Sequence, residues 1–577
     1  MKRKIAVYPL IFALLFAFLM LPACSSGDNK NQNPNQSNTS PESSSGDNQT
    51  NETENFDPLG KYDEPVTVTQ VLSFRPPEEA DALPGVKPET SGFVKDLKEM
   101  LNIDLKYLWS VPQDQFDQKF SLSIASGDLP DVMQVDLVTF EKFREQGILA
   151  DLSDAYENYA SPALRKIIEK DDRFALNSLT FDGKLLGVTG SGTGGTQIVW
   201  IRKDWLDNLK LQPPATLEEF EKVAEAFVND DPNLNGADDT YGVILNKNLL
   251  GWGFDAKGLF YSHGSYPNAW LKSSDGSLVS GNIQPETKTA LSTLRSWYEK
   301  GILDKEFMLA DEDKISEDIV VGKVGISFGE WWYPNWPLNL SKDNDPKAEW
   351  IPLQLPSFEG KPGKTLNQRS INSILVVNKE AKHPEAAIKM ANYFLEMTKP
   401  KYTDKESPDY KGASNGYVYQ WFTPRFYYPG VFDLIMETVS AAVEAGQEKL
   451  DLPEDFPSAG EAQAVFANAK KFQADPADNS AWGMWFSRGA RDGGVGFSKK
   501  VVDDGMVVWD EYYGPPTPTM IERRSSLDKM RDETFMKIIV GSAPVSDFDK
   551  YVTDWKKLGG DDITAEVNKW YAENANK

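Results

Sequence analysis

Residues 231–242 read Asp-Pro-Asn-Leu-Asn-Gly-Ala-Asp-Asp-Thr-Tyr-Gly, and their oxygen-bearing side chains stand at the spacing of a calcium loop. Asp231, Asn233, Asn235 and Asp239 take positions 1, 3, 5 and 9, and Ala237 at position 7 would add its backbone carbonyl. Gly236 at position 6 permits the sharp turn that aims such hard ligands inward. Position 12 departs from an EF-hand, because Gly242 stands where a bidentate glutamate belongs. The plainer reading of these residues is an Asx-rich turn at a helix end. A structural Ca²⁺ is the expectation carried forward.

A second chemistry is written in tryptophan. The chain holds 16 Trp in 577 residues. Trp331, Trp332 and Trp336 fall within six residues, beside Pro334 and Pro337, which suits a loop at the rim of a cleft. Trp252 lies between Gly251 and Gly253, where a ligand can approach. Flat aromatic faces grip the C–H faces of sugars, while amides and carboxylates take the surrounding hydroxyls. For each tryptophan alone, core packing is the competing reading.

Other chemistries are short of parts. The only histidines are His263 and His383, neither in an HExxH pattern, and Cys24 is the only cysteine. Zinc hydrolysis and a Ser-His-Asp triad therefore have little to draw upon, and no catalytic residue is expected. A glycosidase needs merely two carboxylates, which 87 Asp and Glu do not exclude, whereas an adhesin would show β-repeats, which are absent. The net charge of −26 repels nucleic acid and anionic headgroups, so neither is an expected partner.

The elements that would position these groups begin after an export signal. Met1-Lys2-Arg3-Lys4 is basic, Ile5 to Met20 is almost wholly apolar, and Leu21-Pro22-Ala23-Cys24 resembles a bacterial lipobox. Residues 1–23 are thus expected to be removed and Cys24 diacylated, the two chains that stable anchoring needs. Residues 25–57 carry one bulky apolar residue, Phe56, and read as a disordered tether over 24–60. A lipid anchor on the extracellular face is expected, and the spacer suits a Gram-positive surface. No later apolar run approaches the ~20 residues of a membrane span.

Alternation at Pro65–Thr69 predicts a strand, periodicity over 92–102 a helix, and Ile103–Leu108 a second strand, together a βαβ unit. Thr216-Leu217-Glu218-Glu219 is a capping box opening a helix with Leu217, Phe220, Val223, Ala224 and Phe227 inward. Pro384 is placed at position N1 of another helix, with Ala387, Ile388, Ala391, Phe394 and Leu395 inward. Phe548, Tyr551, Val552 and Trp555 stripe a late helix stopped by Gly559-Gly560. Strands alternating with helices mean α/β layers.

Several segments resemble the extracellular solute-binding proteins, family 1 type, in their lipoprotein branch. Ser126-Gly127-Asp128-Leu129-Pro130-Asp131-Val132 is similar to that family's turn. Ile201-Arg202-Lys203-Asp204-Trp205-Leu206, Gly322-Lys323-Val324-Gly325 through Trp331-Trp332, and the tail from Phe535 to Tyr571 resemble further segments. The match runs from about residue 62 to the end of the chain.

The resemblance implies a two-lobed, periplasmic-binding-protein-like α/β fold with a multi-strand hinge, and a ligand held between the lobes. Lobe 1 is placed at 61–190 plus 370–435, lobe 2 at 191–369 plus 436–577. The crossings are placed near Gly187–Thr196 and Leu366–Asn372. The first has five glycines in the nine residues 187–195 but lacks the order of a phosphate loop, so it reads as hinge, cleft or ordinary loop. The resemblance also puts polar ligand contacts at Gln134 and Asp136 and a stacking tryptophan among Trp331, Trp332 and Trp336; Trp109, at the end of the Ile103–Leu108 strand, is a further rim candidate. Arg369, at the second crossing, could fork onto an acidic sugar's carboxylate or make a structural ion pair. Some polysaccharide-binding members carry an acid at position 10 of the calcium loop, where this chain has Thr240. The implied role is that of a monomeric binding subunit delivering an oligosaccharide to the permease of an ABC importer, with peptide or another small solute as the alternative.

Overall fold

The computed structural model describes residues 56–74, 88–193, 195–371, 373–399, 426, 428–476 and 479–574. The signal, Cys24, most of the tether, Gly194 and Asn372 lie outside the described residues.

The expected βαβ unit is present. Val66–Phe74 pairs in parallel with Ile103–Pro112, starting at Val66↔Ile103, and the helix between them is five residues of α followed by a π turn, Leu97–Leu101. Periodicity predicts Phe93, Val94, Leu97, Met100 and Leu101 on one face; Phe93, Leu97 and Leu101 are fully buried, while Val94 and Met100 are half-buried against the same core. Both strands run further than alternation alone indicates, the first by five residues, to Phe74 rather than Thr69, and the second by four, to Pro112 rather than Leu108. Asp131 fastens this pair to the next strand: its Oδ2 accepts from the Thr69 amide at 2.8 Å and hydroxyl at 2.7 Å. Val132–Val135 then pairs antiparallel with Ile374–Val377, a separate two-stranded sheet that a segment from far along the chain closes.

A four-stranded sheet has the order Trp350–Leu353, Ile198–Arg202, Val324–Gly329, Tyr241–Val243. Ile198–Arg202 is buried at every residue, as a strand covered on both faces must be. The capping box is made in full: Thr216 Oγ1 accepts from the Glu219 amide and Glu219 Oε2 from the Thr216 amide. All five inward residues of the helix Leu217–Asn229 are buried.

Two corrections concern helix ends. Pro384 is the N-cap of Glu385–Met397 rather than its first helical residue. Gly559-Gly560 interrupts rather than ends the late helix: Gly559 kinks the chain at φ +126°, and Asp561–Asn574 continues beyond it.

Two large cores form. One draws on residues between Val66 and Val188 and between Ile371 and Phe426; the other on Val199–Leu355 and Leu527–Val567. Ser191–Thr193 and Thr365–Ile371 run between them as antiparallel neighbours. A third strand, which sequence patterning does not single out, lies beside this crossing: Val507–Asp510, parallel to Thr365–Gln368. A smaller core is built by the helices Val431–Glu444 and Ala459–Ala474.

Candidate functional site

The strand Val324–Gly329 ends at the tryptophan segment. Gly329 is required there, because a Cβ would lie 2.1 Å from the Tyr333 ring. Gly195 of the first crossing rests against the Glu330 carboxylate, 2.3 Å from where its Cβ would be. The glycines of that crossing therefore let backbone and acid meet, rather than cradling phosphate.

Trp252, Trp332 and Trp336 form a column. Trp252 and Trp332 are stacked at 4.9 Å and 8°, Trp332 and Trp336 at 6.1 Å and 17°. Trp336 ends against Phe254 at 5.8 Å, while Trp252, 60% exposed, presents the open end. Gly251 and Gly253 serve the turn rather than a ligand: a Cβ at Gly251 would strike Asn248, and Gly253 has φ +73°. Trp331 leaves the column. It packs on Phe432 at 4.6 Å, and the Arg488 guanidinium, paired with Glu461, lies 5.2 Å from its ring.

Two acids lie beneath the column. Glu330 accepts from Trp332 Nε1 at 3.3 Å, and burial holds its carboxyl above the usual range. Asp255 is buried, and desolvation pushes it up to about 6 although Lys257 sits 3.0 Å away. Sequence reasoning missed Asp255, Glu330, Phe432 and Arg488. Glu330 was detectable as the residue preceding the tryptophans, whereas Phe432 and Arg488 are about 100 and 160 residues distant in the chain.

The candidates of the first core are tied to their own lobe. Trp109 donates Nε1 to Ser123 at 3.0 Å and packs on Phe116. Gln134 donates to the Ser373 carbonyl at 3.0 Å. Asp136 caps the helix Leu137–Glu145, Oδ1 accepting from Thr139 at 2.7 Å. Arg369 is exposed on the crossing strand, its guanidinium 5.7 Å from the Phe174 ring centre and 5.9 Å from that of Tyr513. It makes no ion pair with the described residues, and the cavities it lines include Trp270, Trp555 and Trp570 but none of Trp252, Trp331, Trp332 and Trp336.

In the 231–242 loop the side chains converge. Asp231 accepts from the Asn235 and Gly236 amides at 3.0 and 2.9 Å, and Asp239 Oδ1 lies 3.1 Å from Asn235 Nδ2 and 3.5 Å from Asn233 Nδ2. The Asn233 and Asn235 side-chain oxygens accept from the Asn235 and Ala237 amides at 3.3 and 2.8 Å, the internal bonding of an Asx turn, while two carboxylates and two amides are the hard-oxygen donor types that Ca²⁺ takes. Thr240 takes no part: its buried hydroxyl donates to the Phe227 carbonyl at 2.6 Å. Among the described residues no cluster of three or more His, Cys, Asp or Glu suits a metal. His263 is buried against Phe358, and His383 pairs with Glu385, so the two histidines share no site.

Against known proteins, residues 85–398 match the family described as bacterial extracellular solute-binding protein. The polygalacturonan/rhamnogalacturonan-binding protein YtcQ of Bacillus subtilis is 30% identical over 250 residues, 42% of this chain and 47% of YtcQ. The match thus spans about half the length of that relative. Lipoprotein LipO of Bacillus subtilis is 24% identical over 498 residues, covering 85% of this chain and 91% of LipO. The substrate-binding protein FusA of Streptococcus pneumoniae, solved with kestose, superposes with a TM-score of 0.58 at 18% identity over 89% of this chain and 100% of FusA. FusA has also been solved as an EF-hand mutant with fructo-nystose, at a TM-score of 0.57 and 19% identity over 89% of this chain and 100% of that one.

Proposed function

The chain belongs to the bacterial extracellular solute-binding proteins, and on that premise we propose that it captures an oligosaccharide between its lobes and delivers it to an ABC importer. It binds and does not transform its ligand. The observation that carries the sugar reading is the column Trp252–Trp332–Trp336, stiffened by stacking and open at Trp252. Such a column offers an apolar platform that loses little conformational freedom when a pyranose ring lies on it. Glu330, half-buried, and Asn248, exposed, would supply acceptors and donors for hydroxyls. The carbohydrate ligands of YtcQ and FusA support the same class.

Capture would proceed by hinge closure across the crossing strands, with the two cores moving as rigid bodies. In this reading the lobes are 61–190 plus 370–435 and 191–369 plus 436–577, and a tether from diacylated Cys24 holds the protein at the outer membrane face. The resemblance to a lipoprotein, LipO, supports the anchor. Trp109, Gln134, Asp136, Trp331 and Arg369 remain candidate contacts within this proposal. A structural Ca²⁺ would be held by Asp231, Asn233, Asn235 and Asp239 with the Ala237 carbonyl, closing the turn between the helix Leu217–Asn229 and the strand Tyr241–Val243.

Thermal unfolding with Ca²⁺ against neutral oligosaccharides, uronate oligomers and peptides tests the reading. A cleft ligand at 100 times its Kd should stabilise by about 2.7 kcal/mol. A shift from glycans alone is the expected result. A shift from peptides alone would replace the sugar reading with the peptide one.

A further inference from the structure

The far end of the four-stranded sheet carries a cavity of its own. Ile198–Arg202 starts beside the crossing, where the Gln197 amide donates to Thr365 Oγ1 at 2.9 Å, and its last residue, Arg202, lies opposite Trp350. Four residues of strand, roughly 13 Å, separate the two ends. At the Trp350 end the helices Val431–Glu444, Ala459–Ala474 and Asn479–Arg488 meet the sheet edge and leave a space of about 420 Å³, within the range of small-molecule sites. No residue of the first core and none of the tryptophan column lines it.

Its walls are aromatic. Trp482 stacks on Phe486 at 5.2 Å and 21°, and Trp485 lies against Gly489, where a Cβ would stand 2.4 Å from the ring. Trp350 Nε1 is committed to Ser341 at 2.8 Å. Trp482 is only 6% exposed, yet its indole N–H, like that of Trp485, finds no acceptor among the described residues. A buried indole normally has one. Lys342 is short of partners too. Its Nζ donates to the Ala348 carbonyl at 2.7 Å and lies 5.1 Å from the Trp482 ring centre, but no carboxylate among the described residues pairs with it. Acceptors stand at the rim: Asp492 is exposed and without a cation partner among the described residues, and Glu349 has only Lys203, at 3.9 Å.

These charges select against charged occupants. An anion would meet Asp492 and Glu349, and a cation would meet Lys342. A neutral molecule whose groups both donate and accept meets neither repulsion and can use both sets. We propose that this cavity is a second ligand site, which takes one or two rings of a neutral sugar independently of the interlobe cleft. The C–H face of a ring packs on the indoles, Lys342 and the Trp482 N–H donate to hydroxyl oxygens, and hydroxyl hydrogens go to Asp492 and Glu349. Every lining residue falls within 342–351 or 440–492, so occupancy does not require the two large cores to approach each other. The sugar class rests here on the donors and acceptors of the cavity itself, not on the reading of the cleft.

Titration calorimetry of the Trp252→Ala chain, in which the column is truncated, with glucose, maltose, cellobiose and lactose is the test. At least one of these sugars is expected to bind at a single saturable site. Adding Trp485→Ala should weaken that site at least about tenfold, through loss of the ring face. Lys342→Met, which keeps the stem and removes the donors, serves if the tryptophan variant does not fold, and should weaken binding at least about threefold. Glucuronate and glucosamine should bind at least about threefold more weakly than the neutral sugars. In a chain carrying Trp485→Ala alone, oligosaccharide binding that depends on Trp252 should stay within about twofold, so either site can fail without the other. Sugar binding that is equal in the Trp485 and Lys342 variants, a charged sugar that binds more tightly than the neutral ones, or no neutral sugar bound at about 10 mM (roughly the weakest affinity such a site would be built for) overturns the proposal.

Discussion

The 231–242 loop and the 330–336 segment are each a dense run of one chemistry, yet they fold on opposite principles. In the loop, neighbours in sequence are partners in space: Asp231, Asn235, Gly236 and Asp239 bond one another within nine residues. In the tryptophan segment, neighbours part. Trp332 joins Trp252, eighty residues upstream, and Trp331 turns to Phe432, a hundred residues downstream. A polar turn is shaped by short-range hydrogen bonds that Asx side chains make with their own backbone. An aromatic platform is shaped by whatever surface the remote chain brings against it.

That contrast breaks first at Trp332. Truncating this half-buried ring in the middle of the column (Trp332→Ala) should cost about 3 kcal/mol of stability, since large-to-small aromatic changes leave a cavity. Ligand binding should fall with it, as a denaturant titration and a calorimetric titration of the same sample would reveal. An unchanged midpoint would mean that the column is not held by stacking.

For the loop the effect should depend on the ion. At Ca²⁺ 100 times its Kd, Asp231→Ala should forfeit the roughly 2.7 kcal/mol of linkage stabilisation, read as loss of the Ca²⁺-dependent rise in Tm. With chelator present, the same change should cost only about 1 kcal/mol, for two amide hydrogen bonds. Equal losses with and without Ca²⁺ would reduce the loop to a turn.

Asp255 sharpens the long-range side of the comparison. Its folded carboxyl titrates at about 6, against roughly 3.9 in an unfolded chain. The folded protein therefore keeps a proton that the unfolded chain has released. Stability from this group is fully present below about pH 4, declines as pH rises through 6, and stays low above it. Replacing it (Asp255→Asn) should thus stabilise more at pH 7.5 than at pH 4, by about 2 kcal/mol, measured as the difference between the two pH profiles. A flat difference would place the acid in water.

The smallest expected effect is the most selective. Trp252 is 60% exposed, so Trp252→Ala should change stability by less than about 1 kcal/mol. Oligosaccharide affinity should nevertheless drop about tenfold, the equivalent of ~1.4 kcal/mol. Intact affinity would shift the platform elsewhere along the segment.

Local signals in the sequence were read correctly where the partners are local. The capping box at Thr216 and the stripes of the helices at 92–101 and 217–229 all match the buried faces, because periodicity and capping act within a few residues. The near misses were of the same kind: Pro384 one position out, and the glycine pair a kink rather than a stop. Beyond that range the reading thinned. The third strand beside the crossing, Val507–Asp510, is four residues of no distinctive pattern, recognisable only by its pairing with Thr365–Gln368. Arg369 was open between an ion pair and a ligand contact, and its neighbours proved to be two rings from separate parts of the chain.

By itself, the sequence determined the α/β layering, the inward faces of its helices, the polar turn at 231–242 and, through ordered motifs, the family. These rest on hydrogen bonds and periodicities that close within one element. Only the tertiary structure decided which tryptophans stack, which one turns away to Phe432, and that Arg369 is flanked by two rings. Those outcomes depend on the packing of side chains drawn from segments 80 to 200 residues apart, and dense packing chooses one arrangement among many that the same residues would allow.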